Sequence, residues 1–155
     1  MANTDGRSNT NPLLTGTPSS FVLPDNIDPF LLYLVDIANA EILSFGITLN
    51  VGGVLVTGQL VSYEKYYEGL QKDITHVAGA GGEALAEVIA QFLKHSVGEK
   101  AATPKPEPLP RHIHLQHAQI VVTADGRLLP RNHGVWWRAP IAAVSGFTLG
   151  SLSSS

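Results

Sequence analysis

Three of the six histidines of the chain fall within six positions of one segment, "RHIHLQHAQIVV", residues 111–122. On a β-strand, His112 and His114 would lie on the same side about 7 Å apart, while His117 would face the opposite side. That spacing can straddle one Zn²⁺, but two imidazoles do not make a metal site, and His133 or a carboxylate would have to complete it. We therefore predict no bound metal and no other cofactor.

The same histidines allow two other interpretations. In the one that we favour, Ile113 and Leu115 pack inward, while His112 and His114 face water or a neighbouring copy of the chain. In the other, the two histidines form a pH-responsive patch, because the unperturbed pKa of imidazole, about 6.5, lies close to physiological pH.

Aromatic residues are the second group with potential for specific contacts. Trp136 and Trp137 are adjacent in a predicted strand, so one side chain must point inward and the other outward or into an interface. Both tryptophans and the neighbouring cation Arg138 are candidate interaction residues, since tryptophan is enriched at the centres of interfaces. Of the two, Trp137 is favoured for a fixed structural role and Trp136 for the contact. Tyr66 and Tyr67 join the candidate interaction residues, although core packing is the favoured interpretation of the tyrosines.

The sequence does not indicate an enzyme. It contains no cysteine, which excludes disulfides, thiolate ligands and thiol nucleophiles. The usual nucleophile, zinc-protease and nucleotide-binding motifs are absent, and "GAGG" at residues 79–82 is not followed by the Lys-Ser/Thr of a phosphate-binding loop. We therefore predict a protein without catalytic residues.

The charge of the chain is unevenly distributed. Residues 1–100 carry five Lys/Arg and eleven Asp/Glu, whereas residues 101–155 carry five Lys/Arg and only two Asp/Glu. The two parts therefore have opposite net charges, which suits self-association through complementary patches. The basic part carries too few cations to favour binding of nucleic acid. No signal peptide and no apolar run of roughly 18 residues is present, so a soluble cytoplasmic protein without membrane contact is expected.

The positions of the candidate residues depend on a short series of predicted elements. Asp28 as N-cap and Pro29 at the first helical position predict a helix over about 29–44. Alternation in "ITLNVGGVLVTGQLV" predicts a β-hairpin that turns at Gly52-Gly53. Ser62 can cap a helix, "YEKYYEGLQKDI", and a second helix, "EALAEVIAQFLKH", follows with an apolar stripe predicted to pack in the core; the stripe comprises Leu85, Val88, Ile89, Phe92 and Leu93.

The remaining sequence predicts a proline-rich linker and three strands. Four prolines in "GEKAATPKPEPLP" favour extended geometry. A long strand over 111–123, a turn at "ADGR", the strand "GVWWR", a kink at Ala139-Pro140 and a strand within "AAVSGFTLG" follow. Residues 1–24 and 153–155 are predicted to be disordered tails.

This order of elements predicts an α+β, mainly β fold: a small five-stranded Sm-like (SH3-like) barrel. Residues 25–152 would form one domain with an N-terminal helix, and residues 62–110, comprising the helical insertion and the linker, would separate the second and third strands. An Sm-like barrel brings an alternative function as an RNA-binding module, which a fold resemblance alone supports only weakly.

Four segments in this order resemble the gas vesicle accessory protein family GvpU: "ITLNVGGVLVTGQLVSYEKYYEGL", "HIHLQHAQI", "VWWRAPIAAVSGFTLG" and the polar C-terminal tail. The resemblance covers roughly residues 28–152. It implies a non-catalytic protein that binds itself and the gas vesicle shell proteins and clusters the vesicles. Under that interpretation, changing Trp136 or Arg138 to Ala is expected to weaken self-association more than it lowers the melting temperature.

Overall fold

A computed structural model describes residues 26–77, 79–98, 109–122 and 124–153 of the chain. Within these ranges the protein is an α+β structure with three α-helices, one 3₁₀ helix and six β-strands. They occur in the order α1 (Pro29–Asn39), β1 (Phe45–Val51), β2 (Val54–Leu60), α2 (Tyr63–Val77), α3 (Gly79–Gly98), β3 (His112–Val122), β4 (Arg127–Leu129), β5 (Val135–Pro140), the 3₁₀ helix (Ile141–Ala143) and β6 (Val144–Leu149). The predicted tail over 1–24, most of the proline-rich linker and the last two residues lie outside the described ranges.

The six strands form one antiparallel sheet in the order β4-β3-β2-β1-β6, and β5 also pairs with β3. The N-terminal helix and the helical insertion between the second and third strands are where the sequence predicts them. The predicted five-stranded Sm-like barrel is not confirmed, because the sheet is open and contains a sixth strand. The additional strand is β4, whose three residues are too few to show the alternation by which a strand is recognised.

The hairpin of β1 and β2 follows the sequence prediction. Val51 pairs with Val54, and the two glycines between them, Gly52 and Gly53, have φ angles of 60° and 84°. Positive φ at both central residues is the geometry of the tight turn that matches the twist of antiparallel strands. Ile47 and Leu49 face the core and are fully buried, as the alternation predicts.

Strand β3 is interrupted at His117, where φ is 52° and the pairing with both neighbouring strands shifts register. This bulge returns Ala118 to the core face, so that the strand keeps its apolar side inward beyond the irregularity. Gly58 lies opposite the bulge, and a β-carbon there would approach both the Ala118 Cα and the Gln116 carbonyl oxygen to 3.1 Å. The glycine therefore allows the two strands to stay close.

Helix α1 covers one face of the sheet and ends earlier than the sequence predicts. The Asp28 carboxylate accepts the amides of Phe30 and Leu31, which confirms the predicted N-cap. The helix ends at Asn39 rather than near residue 44, because Glu41 adopts a φ of 58° and the chain turns back in a Schellman motif. Ile42, which the predicted helix would have included, is consequently outside it and exposed.

Helices α2 and α3 pack against each other, and α2 also contacts β3 and β5. Ser62 caps α2 as predicted, since its hydroxyl accepts the amide of Lys65 at 3.1 Å. The core position predicted for the α3 stripe is wrong for three of its members, because Leu85, Val88 and Phe92 are about half exposed or more. In the described part of the chain, no helix is long and apolar enough to cross a membrane.

Candidate functional site

Strands β3 and β5 place the candidate residues on two opposite faces of the sheet. On one face, Leu115 pairs with Trp137, and the indole of Trp137 packs against the hydrophobic core beneath α1. On the other face, His114 is paired with Arg138, which is exposed. Trp137 therefore has the structural position that the alternation predicts, while Trp136 lies on the face of His114.

His114 is buried beneath helix α2, with only 4% of its surface exposed. Its ring centroid lies 4.9 Å from that of Tyr66 and 6.0 Å from that of Tyr67. Neither ring nitrogen has a hydrogen-bond partner among the described residues. The expectation that His114 faces water or a neighbouring copy of the chain is therefore wrong, because the first two turns of α2 cover this part of β3.

The surroundings of His114 hold its imidazole in the neutral form. Burial, acting together with the nearby Arg138 and His112, lowers the pKa of His114 from 6.5 to about 3. Burial also lowers the pKa of His112, with the charges of Arg138 and Arg111 acting in the same sense. The pKa values of both histidines are lowered, away from neutral pH. They do not support the interpretation of the sequence in which these histidines form a pH-responsive patch.

Trp136 fixes α2 to the sheet. Its indole Nε1 donates to the Asp73 carboxylate at 2.7 Å, and its ring meets that of Tyr66 edge-on with centroids 6.0 Å apart. The indole also covers Gly69, where a β-carbon would overlap the ring. The outward-facing tryptophan of the sequence prediction thus has partners within the same chain, and all three of these contacts come from α2.

A cavity of about 180 Å³ opens beside His114, between the helical pair and the start of β3. We call it the basic aromatic cavity. Its lining combines cationic and imidazole groups with aromatic rings and contains no carboxylate; the residues are Asn39, Tyr63, Tyr67, Phe92, Pro110, Arg111, His112, His114 and Arg138.

The predicted site residues are thus largely brought together. Tyr66, Tyr67, His112, His114, Trp136 and Arg138 surround one junction of α2, β3 and β5, and only Trp137 lies elsewhere. Four further residues belong to this cluster and were not predicted from the sequence to lie there: Asp73, Gly69, Arg111 and Phe92. Of these four, only Arg111 could have been found from the sequence, because it is next to the histidines. The positions of the other three depend on how the helices lie over the sheet.

The remaining histidine of the segment does not join this cluster. His117 is exposed at the bulge, and its Nδ1 lies 3.2 Å from the carbonyl oxygen of His133. It borders a second, larger cavity of about 370 Å³, which is lined by residues of β1, β2, β3 and the segment after β6 and has no Lys, Arg, Asp or Glu in its lining. Across the described ranges, no three potential ligands among His, Asp and Glu are grouped so that they could hold a metal ion.

A family model described as gas vesicle protein GvpU-like matches residues 28–152. No curated protein and no solved structure matches the chain.

Proposed function

Because the chain belongs to the GvpU-like family of gas vesicle proteins, we propose that it is a non-catalytic accessory protein that associates with gas vesicles in the cytoplasm. In this proposal it clusters the vesicles by binding both their shell proteins and other copies of itself. The observation that carries the proposal is the family match, which extends from the N-cap of α1 to beyond β6.

The open sheet supports self-association through its edges. Strand β6 forms one edge, and β4 and β5 share the other. In the described ranges no further strand pairs with these edges, and an unpaired edge offers backbone donors and acceptors to a second copy. Leu149 on β6 is 59% exposed, and Leu129 and Val135 on the other edge are also exposed, so the edges also carry apolar side chains.

The charge distribution supports the same proposal. The acidic part of the sequence, residues 1–100, and the basic part, residues 101–155, can attract each other in neighbouring copies. Several weak contacts of this kind on one molecule produce strong clustering once two or more form together. The RNA-binding alternative depended on a barrel that the open sheet does not reproduce, and no observation favours it.

Sedimentation velocity over a range of concentrations, together with flotation of the protein with purified gas vesicles, would test this function. We expect the unmodified chain to form larger species as its concentration rises and to float with the vesicles. Leu149→Lys should reduce assembly, because a lysine on an edge strand opposes strand pairing. Val88→Lys, which adds the same charge at an exposed position of α3, is the matched control and should assemble normally.

Two results would contradict the proposal. A chain that remains monomeric at every concentration would exclude clustering through self-association. A chain that stays in the soluble fraction when the vesicles float would exclude association with the vesicle surface. Equal assembly of Leu149→Lys and Val88→Lys would place the contact away from the β6 edge.

A further inference from the structure

We propose that the basic aromatic cavity binds a small aromatic anion, whose carboxylate or phosphate lies between Arg111 and Arg138 and whose ring lies against Tyr67 and Phe92. The proposal does not rest on vesicle clustering, because the ligand would bind within one copy of the chain, although Arg138 itself lies on the edge strand β5.

The two arginines are the first support for an anion. Arg111 and Arg138 are exposed and line the same cavity. Neither guanidinium has a salt bridge or a hydrogen bond in the part of the chain that the structure describes. By contrast, Arg127 is paired with Asp125. Guanidinium groups match the geometry of carboxylate and phosphate, and two such groups without partners at one cavity leave a local excess of positive charge.

The lining adds no compensating negative charge. None of the nine lining residues is Asp or Glu. The charged groups that act on His112 and His114 are cationic or imidazole groups, and all of them lower the pKa of these histidines. A negatively charged ligand would therefore meet a favourable potential beside the two arginines.

The walls and the volume limit the rest of the ligand. Tyr67 and Phe92 have ring centroids 5.2 Å apart and form an aromatic surface on which a ring could lie. The volume of about 180 Å³ is smaller than the roughly 300–1,000 Å³ of cavities that hold drug-sized molecules. One aromatic ring with one acidic group suits this space, whereas a larger ligand would extend into solvent.

His114 forms part of the cavity floor. Its ring nitrogens are inaccessible, so the arginines and not this histidine would supply the direct contacts to the anion. The neutral imidazole adds no positive charge of its own, and binding should therefore persist at pH 7 to 8, where the arginines remain fully charged.

Binding can be tested with the full chain by isothermal titration calorimetry at pH 7.5, with phenyl phosphate and benzoate as the probes. Binding of phenyl phosphate alone would identify a phosphate site, and binding of benzoate alone a carboxylate site. Inorganic phosphate should bind at least tenfold more weakly than phenyl phosphate if the aromatic wall contributes. Benzyl alcohol and benzylamine, which lack the negative charge, should not bind.

Matched arginine variants locate the site. Arg138→Gln and Arg111→Gln should each weaken binding at least tenfold, whereas Arg131→Gln, an exposed arginine outside the lining, should leave it unchanged. Phe92→Leu should weaken phenyl phosphate more than inorganic phosphate. Failure of both probes to bind the unmodified chain at millimolar concentration would overturn the proposal, as would equal losses in Arg138→Gln and Arg131→Gln. If the chain assembles normally in sedimentation velocity but binds neither probe, the proposed anion site is overturned and the proposal of vesicle clustering is not.

Discussion

The indole ring of Trp136 lies on the backbone of Gly69, so closely that position 69 has no room for a β-carbon. Glycine is a poor residue for the interior of a helix, yet here it lets α2 approach the sheet. The indole also donates to Asp73 one turn further along α2. The helix is therefore held over His114 by a close contact and a hydrogen bond that lie next to each other.

Gly69→Ala should destabilise the fold although alanine is the better helix former. The new methyl group would displace the indole from α2, and overpacking of this kind typically costs about 1–3 kcal/mol. Gly81→Ala is the control, because Gly81 lies in α3 with open space around it and should gain up to about 1 kcal/mol. Urea unfolding of both variants measures the difference, and a stabilised Gly69→Ala would contradict the contact.

Features of the fold that depend on neighbouring residues could be predicted from the sequence. The Gly52-Gly53 turn, the caps at Asp28 and Ser62 and the alternation of Ile47 and Leu49 depend on neighbouring residues only, and each was predicted correctly. These features follow from turn chemistry, capping and the period of a strand.

Features that depend on distant parts of the chain could not be predicted. Alternation correctly placed His112 and His114 on one side of β3, but it could not show that α2 covers His114. The end of α1 was missed because Glu41, and not a glycine, occupies the left-handed position that terminates the helix. The α3 stripe has helical spacing, yet spacing does not say whether another element lies against it.

The stability of the protein should fall as the pH is lowered from 6.5 towards 3. In the unfolded chain the pKa of His114 is 6.5, whereas in the folded protein it is lowered to about 3, so the unfolded state binds the extra proton in this interval. The contribution of His114 to the free energy of unfolding should therefore decrease by up to about 1.4 kcal/mol for each pH unit in this interval. Urea midpoints measured from pH 7.5 to 4 would show the slope, and a flat profile would contradict it.

His114→Phe should remove most of this slope and stabilise the protein at pH 7. Phenylalanine keeps a flat ring against Tyr66 and Tyr67, and it removes two buried nitrogens that have no partner within the described chain. The expected gain is about 1 kcal/mol, since a buried polar group without a hydrogen bond costs about 1–3 kcal/mol. His133→Gln, at an exposed position, should keep the slope of the unmodified protein.

Trp136→Ala should lower the melting temperature as well as any self-association. The side chain is half-buried and has partners in α2, so its removal should cost about 2–3 kcal/mol, below the roughly 3–5 kcal/mol typical of fully buried tryptophan. Arg138 is exposed, so the prediction that an alanine variant weakens self-association more than it lowers the melting temperature now applies to Arg138→Ala. Calorimetric melting of the two alanine variants separates the roles, and an unchanged melting temperature for Trp136→Ala would contradict the contact with α2.

Ser62→Ala should destabilise α2 by about 1 kcal/mol, the usual cost of losing a serine N-cap. The Ser62 hydroxyl accepts the Lys65 amide and donates to the Glu41 carboxylate at 3.2 Å, so it connects the start of α2 to the end of α1. Thr75→Ala also removes a hydroxyl from α2, but that hydroxyl is exposed and donates to the Gln71 carbonyl of its own helix. Because alanine is the better helix former, Thr75→Ala should be neutral or stabilising, and equal losses in the two variants would show that Ser62 has no special role at the helix start.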